Sequence, residues 1–285
     1  MPLLLLALAC ATTPEPGAAA PTAGADRARR VLFVGIDGMR SDAFVAADTP
    51  NLDALAARGA LALDAASQRS GVIQSAPGWL SIATGVEAAR HGVLENDGYE
   101  TRDPTRPTFL HLAHEAGLRT AAVAHWPDIL VSVHDPADVD AGLLRDDAGV
   151  GSDAAALVAQ GDTDVLFLHF DDVDHAGHAT GFSPDNPSYL AAIAGVDAYL
   201  GPVLGAVQAD GDADWLVVVT SDHGGSGTGH GDDIPTHTTV PFIVTAPGGP
   251  TGTLQAGVSH MDAHPTVLAW LGIAAAADLD GVSRL

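Results

Sequence analysis

The stretch Trp215-Leu216-Val217-Val218-Val219-Thr220-Ser221-Asp222-His223-Gly224-Gly225 opens as a continuous apolar, β-branched run and ends on a carboxylate, an imidazole and two glycines. An apolar run of that length without alternation predicts a strand buried on both faces, as in the middle of a parallel sheet. Catalytic groups of open α/β sheets collect where such strands surface at their carboxyl ends. Gly227-Thr228-Gly229-His230-Gly231 follows as a glycine-rich loop that can fold a second imidazole back onto the first pair. One Asp and two His so close together suit a metal ion, or equally a hydrogen-bonded Asp–His pair.

The chain has 285 residues, 47% of them hydrophobic and 17% charged, enough for one large domain with a sizeable core. A formal charge of −24 with only 12 Lys and Arg excludes a nucleic-acid-binding role, since phosphate backbones need cations. Residues Pro2 to Ala9 form an apolar run too short to span a bilayer, followed by Cys10, the lone cysteine. This resembles a bacterial lipoprotein signal in which Cys10 becomes the lipidated first residue; an ordinary signal peptide is the alternative. Either way the sequence predicts an extracytoplasmic protein without disulfides, touching a membrane only through that anchor. Thr12 to Ala25, rich in Ala, Pro, Thr and Gly, predicts a disordered tether. Residues 1–29 therefore read as signal and tether, and 30–285 as one catalytic domain.

Three further features fix the fold class. Val31 to Ile36 is an apolar run ending at Asp37-Gly38, and Asp164 to Phe170 is another, leading into Asp171-Asp172-Val173-Asp174-His175-Ala176-Gly177-His178. Short strands are predicted at Leu61–Ala65, Thr120–Ala124 and Val240–Thr245. Helices are predicted after Thr49-Pro50-Asn51, from Leu80, over Phe109–Ala116, over Tyr189–Leu200 with an end or kink at Pro202, and over Ala263–Leu271. Strands alternate with helices, so the fold is α/β, with a mostly parallel central sheet and helices on both faces.

Three strands thus end in Asp37, the Asp174–His178 cluster, and Asp222 with His223. In one sheet these ends meet at one edge. Asp174 and His178 share a face if their turn is helical. Three carboxylates packed together repel unless cations sit between them. The oxygen and nitrogen donors, without thiolate, suit Zn²⁺, and two ions match the number of groups. Ser75, in a loop entering a helix, can lend its oxygen to a metal, and helix N-terminal amides favour a bound phosphate; alone, Ser75 equally fits a helix-capping serine.

These motifs resemble the alkaline phosphatase superfamily, most closely its nucleotide pyrophosphatase/phosphodiesterase branch. Gly35-Ile36-Asp37-Gly38 is similar to that family's first metal-binding strand. Ser75-Ala76-Pro77, followed by Ala83-Thr84-Gly85 and His91-Gly92-Val93, is similar to its nucleophile segment, and Asn96 to the asparagine that holds a phosphate oxygen. Asp174-His175-Ala176-Gly177-His178 matches D-x-x-G-H, and Ser221-Asp222-His223-Gly224 matches S-D-H-G. The resemblance implies one Zn²⁺ on Asp174, His178 and His230, and another on Asp37, Asp222 and His223, with Ser75 bound to it as nucleophile. His237 is the rival to His230; His175, His260, Asp262 and His264 are expected to be structural or surface residues. The implied reaction is hydrolysis of a small phosphoester, a diester by preference, through a phosphoseryl intermediate.

Two departures stand out. Only six residues separate His223 from His230, where the family carries a long insertion, and Ala76 replaces the aromatic that stacks a nucleotide base. Trp79, Tyr99 and Phe182 are candidates for an apolar substrate wall, Trp79 foremost, with core packing as the alternative for each, and Arg69 and Arg90 for an extra cation. Three alternatives remain: a phosphomonoesterase, a sulfatase, or a silent surface lipoprotein. The sulfatase signature needs Arg four residues after the modified residue, a position held here by Trp79.

Overall fold

The computed structural model describes residues 27–68, 72–255 and 257–285. Cys10, the expected signal with most of the tether, and Arg69 lie outside the described residues. The strands are β1 (Ala28–Ile36), β2 (Ala60–Ala66), β3 (Thr120–Ala124), β4 (Ala141–Leu144), β5 (Val165–Phe170), β6 (Ala213–Thr220), β7 (Thr239–Thr245) and β8 (Gly252–Thr253). The helices are α1 (Ser41–Ala46), α2 (Pro50–Arg58), α3 (Ser75–Thr84), α4 (Ala88–His91) and α5 (Phe109–Glu115). They continue as α6 (Asp147–Gln160), α7 (Asp172–Thr180), α8 (Pro187–Ala209), α9 (Pro235–Thr238) and α10 (Ala263–Leu271).

The strands form one sheet in the order β4-β3-β5-β1-β6-β7-β2-β8. Pairing is parallel from β4 through β6, and β7 runs against both its neighbours. The deciding stretch, β6, therefore lies between parallel β1 and antiparallel β7 and is still buried on both faces. Alternate side chains explain the unbroken apolar runs. Val31, Phe33, Val165, Phe167, Leu216 and Val218 pack with Trp79, Phe109 and Val267 of α3, α5 and α10. Leu32, Val34, Leu166, Leu168, Val217 and Val219 face the opposite way, against Phe44, Leu52, Val150 and Ile193 of α1, α2, α6 and α8.

Register sets the site. Gly35 lies beside His169 on β5 and Thr220 on β6, so Asp37, Asp171 and Asp222 leave the sheet at one edge. Gly35 also has to be glycine: a Cβ there would lie 2.5 Å from the Trp79 ring, which crosses over the strand end.

Helix α8 does not end at Pro202, as one of the two expectations had it, but continues to Ala209. Pro202 is exposed, so the Ala198 carbonyl that it leaves unbonded has water available. Buried Val196 and Leu200 before it, and Val203 and Leu204 after it, hold one packed stripe that outweighs the local break. By length and composition α8 is apolar enough to cross a membrane, yet that stripe packs into the second core layer. The Ala- and Gly-rich α6, absent from the sequence reading, starts where Asp146 accepts from Gly149 N–H at 2.9 Å.

Candidate active site

Asp37 ends β1 and is 1% exposed. Its Oδ2 accepts from Trp79 Nε1 at 2.9 Å and lies 3.2 Å from His169 Nε2. Among the described residues its Oδ1 has no hydrogen-bond partner, and it lies 3.4 Å from His223 Nε2. Asp222 and His223, both fully buried, follow β6, with Asp222 Oδ2 unbonded among the described residues and 3.3 Å from His223 Nε2. Asp222 Oδ1 accepts from Gly38 N–H at 3.2 Å.

The first turns of α7 supply the second half. Asp174 and His178 share a helix face as their spacing predicts, with Nε2 3.3 Å from Oδ2. Asp174 Oδ1 is buried and, among the described residues, has no hydrogen-bond partner; it lies 3.8 Å from His230 Nε2. Gly38, at a φ of +67°, makes room for this carboxylate, since a Cβ would come within 2.7 Å of Asp174 Oδ1.

The three imidazoles are set in one tautomer. His178 Nδ1 is 2.9 Å from the Thr228 carbonyl, His223 Nδ1 2.8 Å from that of Gly224, and His230 Nδ1 2.7 Å from that of Ile73. A carbonyl only accepts, so each Nδ1 carries the proton and each Nε2 presents a lone pair. His178 and His230 then face each other lone pair to lone pair across 3.2 Å. Burial, then repulsion from His230, pushes His223 down to about 3, and burial lowers His230 too.

The carboxylates pull apart. Burial pushes Asp37 up, but the His169 hydrogen bond, His223 and Trp79 outweigh it and hold it below the usual carboxylate range. Burial, then the Asp37 charge, raises Asp174 to about 9 and lifts Asp222 well above its ordinary value. Three unbonded carboxylate oxygens facing three lone-pair nitrogens form a donor set that fits divalent metal. Asp37, Asp222 and His223 offer ligand atoms within 4.8 Å of one another, as do Asp174, His223 and His230.

Ser75 is the first residue of α3, and its Oγ lies 3.3 Å from His223 Nε2. Asn96 is tied to the same helix start: its Oδ1 accepts from Ala76 N–H at 2.9 Å and its N–H donates to Gln74 Oε1 at 3.0 Å. This orientation leaves the Asn96 Nδ2 protons for a ligand. It also narrows the expectation that helix amides bind phosphate, because the Ala76 N–H is spent on Asn96 and Pro77 has none, which leaves the Ser75 N–H for that role.

The other candidates sit away from the site's donor atoms or are already engaged. Trp79 is fully buried behind Asp37 and cannot form an exposed substrate wall; Phe182 is buried too, edge-on to His178 and His230. Tyr99 is half-buried against the core. Arg90 is taken by Asp278 and Asp280, each at 2.8 Å. His237 has both nitrogens engaged, Nδ1 by Asp232 N–H at 3.1 Å and Nε2 by Ser226 at 2.7 Å, so it braces the loop that carries His230. His264 bonds the Ala83 carbonyl, His260 lies against that of Ser221, and Asp262 holds Arg284 at 2.6 Å, all structural positions. Sequence reading missed His169, hidden inside an apolar strand, and buried Arg40, which donates to the Phe182 and Gly225 carbonyls and pairs with Asp42.

The mostly parallel sheet is an α/β fold shared with solved sulfatase and phosphodiesterase structures. The chain belongs to the type I phosphodiesterase / nucleotide pyrophosphatase family, whose model matches residues 31–238. No curated protein matches it in sequence. Among solved structures it is similar to murine ectonucleotide pyrophosphatase / phosphodiesterase 5, seen inactive with AMP, at 15% identity and TM-score 0.70 over 88% of this chain and 96% of that one. A 2-O GAG sulfatase is 17% identical, TM-score 0.70, over 90% of this chain and 73% of that one. A third protein, in complex with its substrate D-glucosamine-2-N,6-O-disulfate, is 15% identical, TM-score 0.70, over 90% and 79%.

Proposed function

We propose that the chain is a zinc-dependent phosphodiesterase that works through a phosphoseryl intermediate on Ser75. The observation that carries this reading is Ser75 Oγ at the start of α3, 3.3 Å from His223 Nε2, beside three carboxylate oxygens without hydrogen-bond partners. Asp37, Asp222 and His223 would hold one divalent ion, and Asp174, His178 and His230 the other. When bound, the ions supply Lewis-acid stabilisation and lower the pKa of a nearby oxygen acid. Two dications against three carboxylates leave a formal charge of about +1, which the serine alkoxide cancels, so a monoanionic substrate fits.

In the first step the Ser75 oxygen attacks phosphorus and the leaving alcohol departs in line. Water then attacks the phosphoseryl ester, releases the phosphate product and restores the Ser75 hydroxyl. Asn96 donates Nδ2–H to a non-bridging oxygen without adding charge. His169 and Trp79 hold Asp37 Oδ2, so that Oδ1 is aimed at the site. Asn96 is exposed and 45% of the His178 side chain is open to solvent, which leaves room for the second ester group. On the sequence reading of Cys10, the enzyme works outside the cytoplasm on a lipid anchor.

Ser75→Ala tests the reading. Hydrolysis of an aryl phosphodiester should fall by about 10³-fold or more while the metal content stays that of wild type. Retained turnover would remove Ser75 as the nucleophile.

A further inference from the structure

The D-x-x-x-H spacing that places Asp174 with His178 occurs a second time on the same stretch of chain, as Asp171 and His175. Asp171 immediately precedes α7 and His175 lies one turn on, with Nε2 3.5 Å from Asp171 Oδ2. Asp171 is only 8% exposed, and among the described residues its carboxylate has no hydrogen bond or ion pair closer than this one. The third group comes from another strand. His125 follows β3, at the same edge of the sheet, and its ring meets that of His175 edge-on at 5.3 Å. His125, Asp171 and His175 offer ligand atoms within 4.8 Å of one another.

We infer that these three residues form a third divalent-metal site, separate from the six ligands assigned above. Its supporting carboxylate is already built. Asp147, fully buried, accepts from His125 Nδ1 at 2.8 Å and from Asp171 N–H at 2.9 Å through Oδ1, and from Asp172 N–H at 3.0 Å through Oδ2. It thereby fixes the His125 tautomer, leaving Nε2 as the lone-pair nitrogen, and pins the start of α7, as carboxylates behind metal-bound histidines do. Two imidazoles and one carboxylate select Zn²⁺ or Co²⁺ over Mg²⁺ and Ca²⁺, which prefer all-oxygen sites. The His175 side chain is 60% exposed, so the site has an entry path and room for water as a fourth ligand. A bound ion ties β3 to the first turn of α7, the helix that carries Asp174 and His178.

The inference does not rest on the phosphodiesterase reading, and metal counting separates the two. Full-length protein is loaded with Zn²⁺, desalted and analysed for metal, then loaded with Co²⁺ and read by visible absorption. His175→Ala and His125→Gln should each carry about one equivalent fewer than wild type and lose one Co²⁺ band, with unchanged circular dichroism. His178→Ala should keep that band. If the catalytic pair binds no metal, wild type should still carry about one equivalent that His175→Ala removes. Equal metal content in wild type, His175→Ala and His125→Gln overturns the site.

Discussion

Trp79 Nε1 donates a 2.9 Å hydrogen bond to Asp37 Oδ2, the oxygen that His169 Nε2 also approaches at 3.2 Å. Both partners grip one oxygen and leave the other without a hydrogen bond. Trp79→Phe keeps most of the packing and removes the donor. The variant should lose about 1.5–3 kcal/mol of stability, since the bond reaches a buried charged group. Metal affinity should fall about 10–100-fold, because the carboxylate loses its orientation. Denaturant unfolding and a chelator competition measure the two effects; lost stability with unchanged affinity would make Trp79 a packing residue only.

Metal removal should give the protein an unusual pH dependence. Without cations, burial and then the Asp37 charge raise Asp174 to about 9 and also raise Asp222. The folded state then keeps protons that the unfolded chain has released from about pH 4 upward. Stability contributed by these groups is complete below the unfolded value and is lost as pH climbs through the folded one. Asp37, whose carboxyl is held low, has the opposite sign, but its window lies below the ordinary carboxylate range. Chelated protein should therefore melt at a lower temperature near pH 9 than near pH 5, and Zn²⁺ should restore stability most at the alkaline end. A flat profile in the chelated protein would mean that the carboxylates are not crowded.

The sequence reveals the fold where side chains have one purpose. Val31–Ile36, Asp164–Phe170 and Trp215–Val219 read as strands because helices cover both their faces, and the sites follow because strand ends hold Asp37 and Asp222. It misleads where a side chain serves the third dimension. Trp79 fits either a substrate wall or the core until the register puts Gly35 beneath it. His169 looks like an interruption in an apolar strand until Asp37 is seen beside it. His230 and His237 are alike in sequence, and only the hydrogen bonds of each ring separate a lone-pair donor from a loop brace. Pro202 breaks helices by local rule and is overruled by packing on both sides of it.

Anchoring is tested by Cys10→Ser, which should abolish lipid labelling and move the protein from the membrane fraction to the soluble one. The diesterase rate should be unchanged, because every proposed site residue lies at or beyond Asp37. Membrane retention in that variant would reject Cys10 as the anchor.

Ester preference follows from Asn96. A monoester brings two negative charges and three free oxygens, and gains from a cation beside the outermost oxygen. A diester brings one charge and a second organic group, which needs space. Of the cations considered, Arg90 is held by Asp278 and Asp280. Arg40 is turned toward the Phe182 and Gly225 carbonyls. Asn96, locked through Oδ1 onto the Ala76 amide, keeps neutral Nδ2–H donors free at the start of α3. Its exposed position leaves room for a second ester group, whereas Ala76 is buried in the core. The ratio of kcat/KM for an aryl phosphodiester to that for the matching monoester should therefore exceed one. Asn96→Ala should lower diester kcat/KM by the equivalent of about 2–4 kcal/mol, the usual cost of a donor to developing oxyanion charge. Asn96→Asp, which keeps the size but repels the phosphate, should fall further. A monoester preference that persists in Asn96→Ala would show that another cationic side chain reads the phosphate, and would place the enzyme among monoesterases.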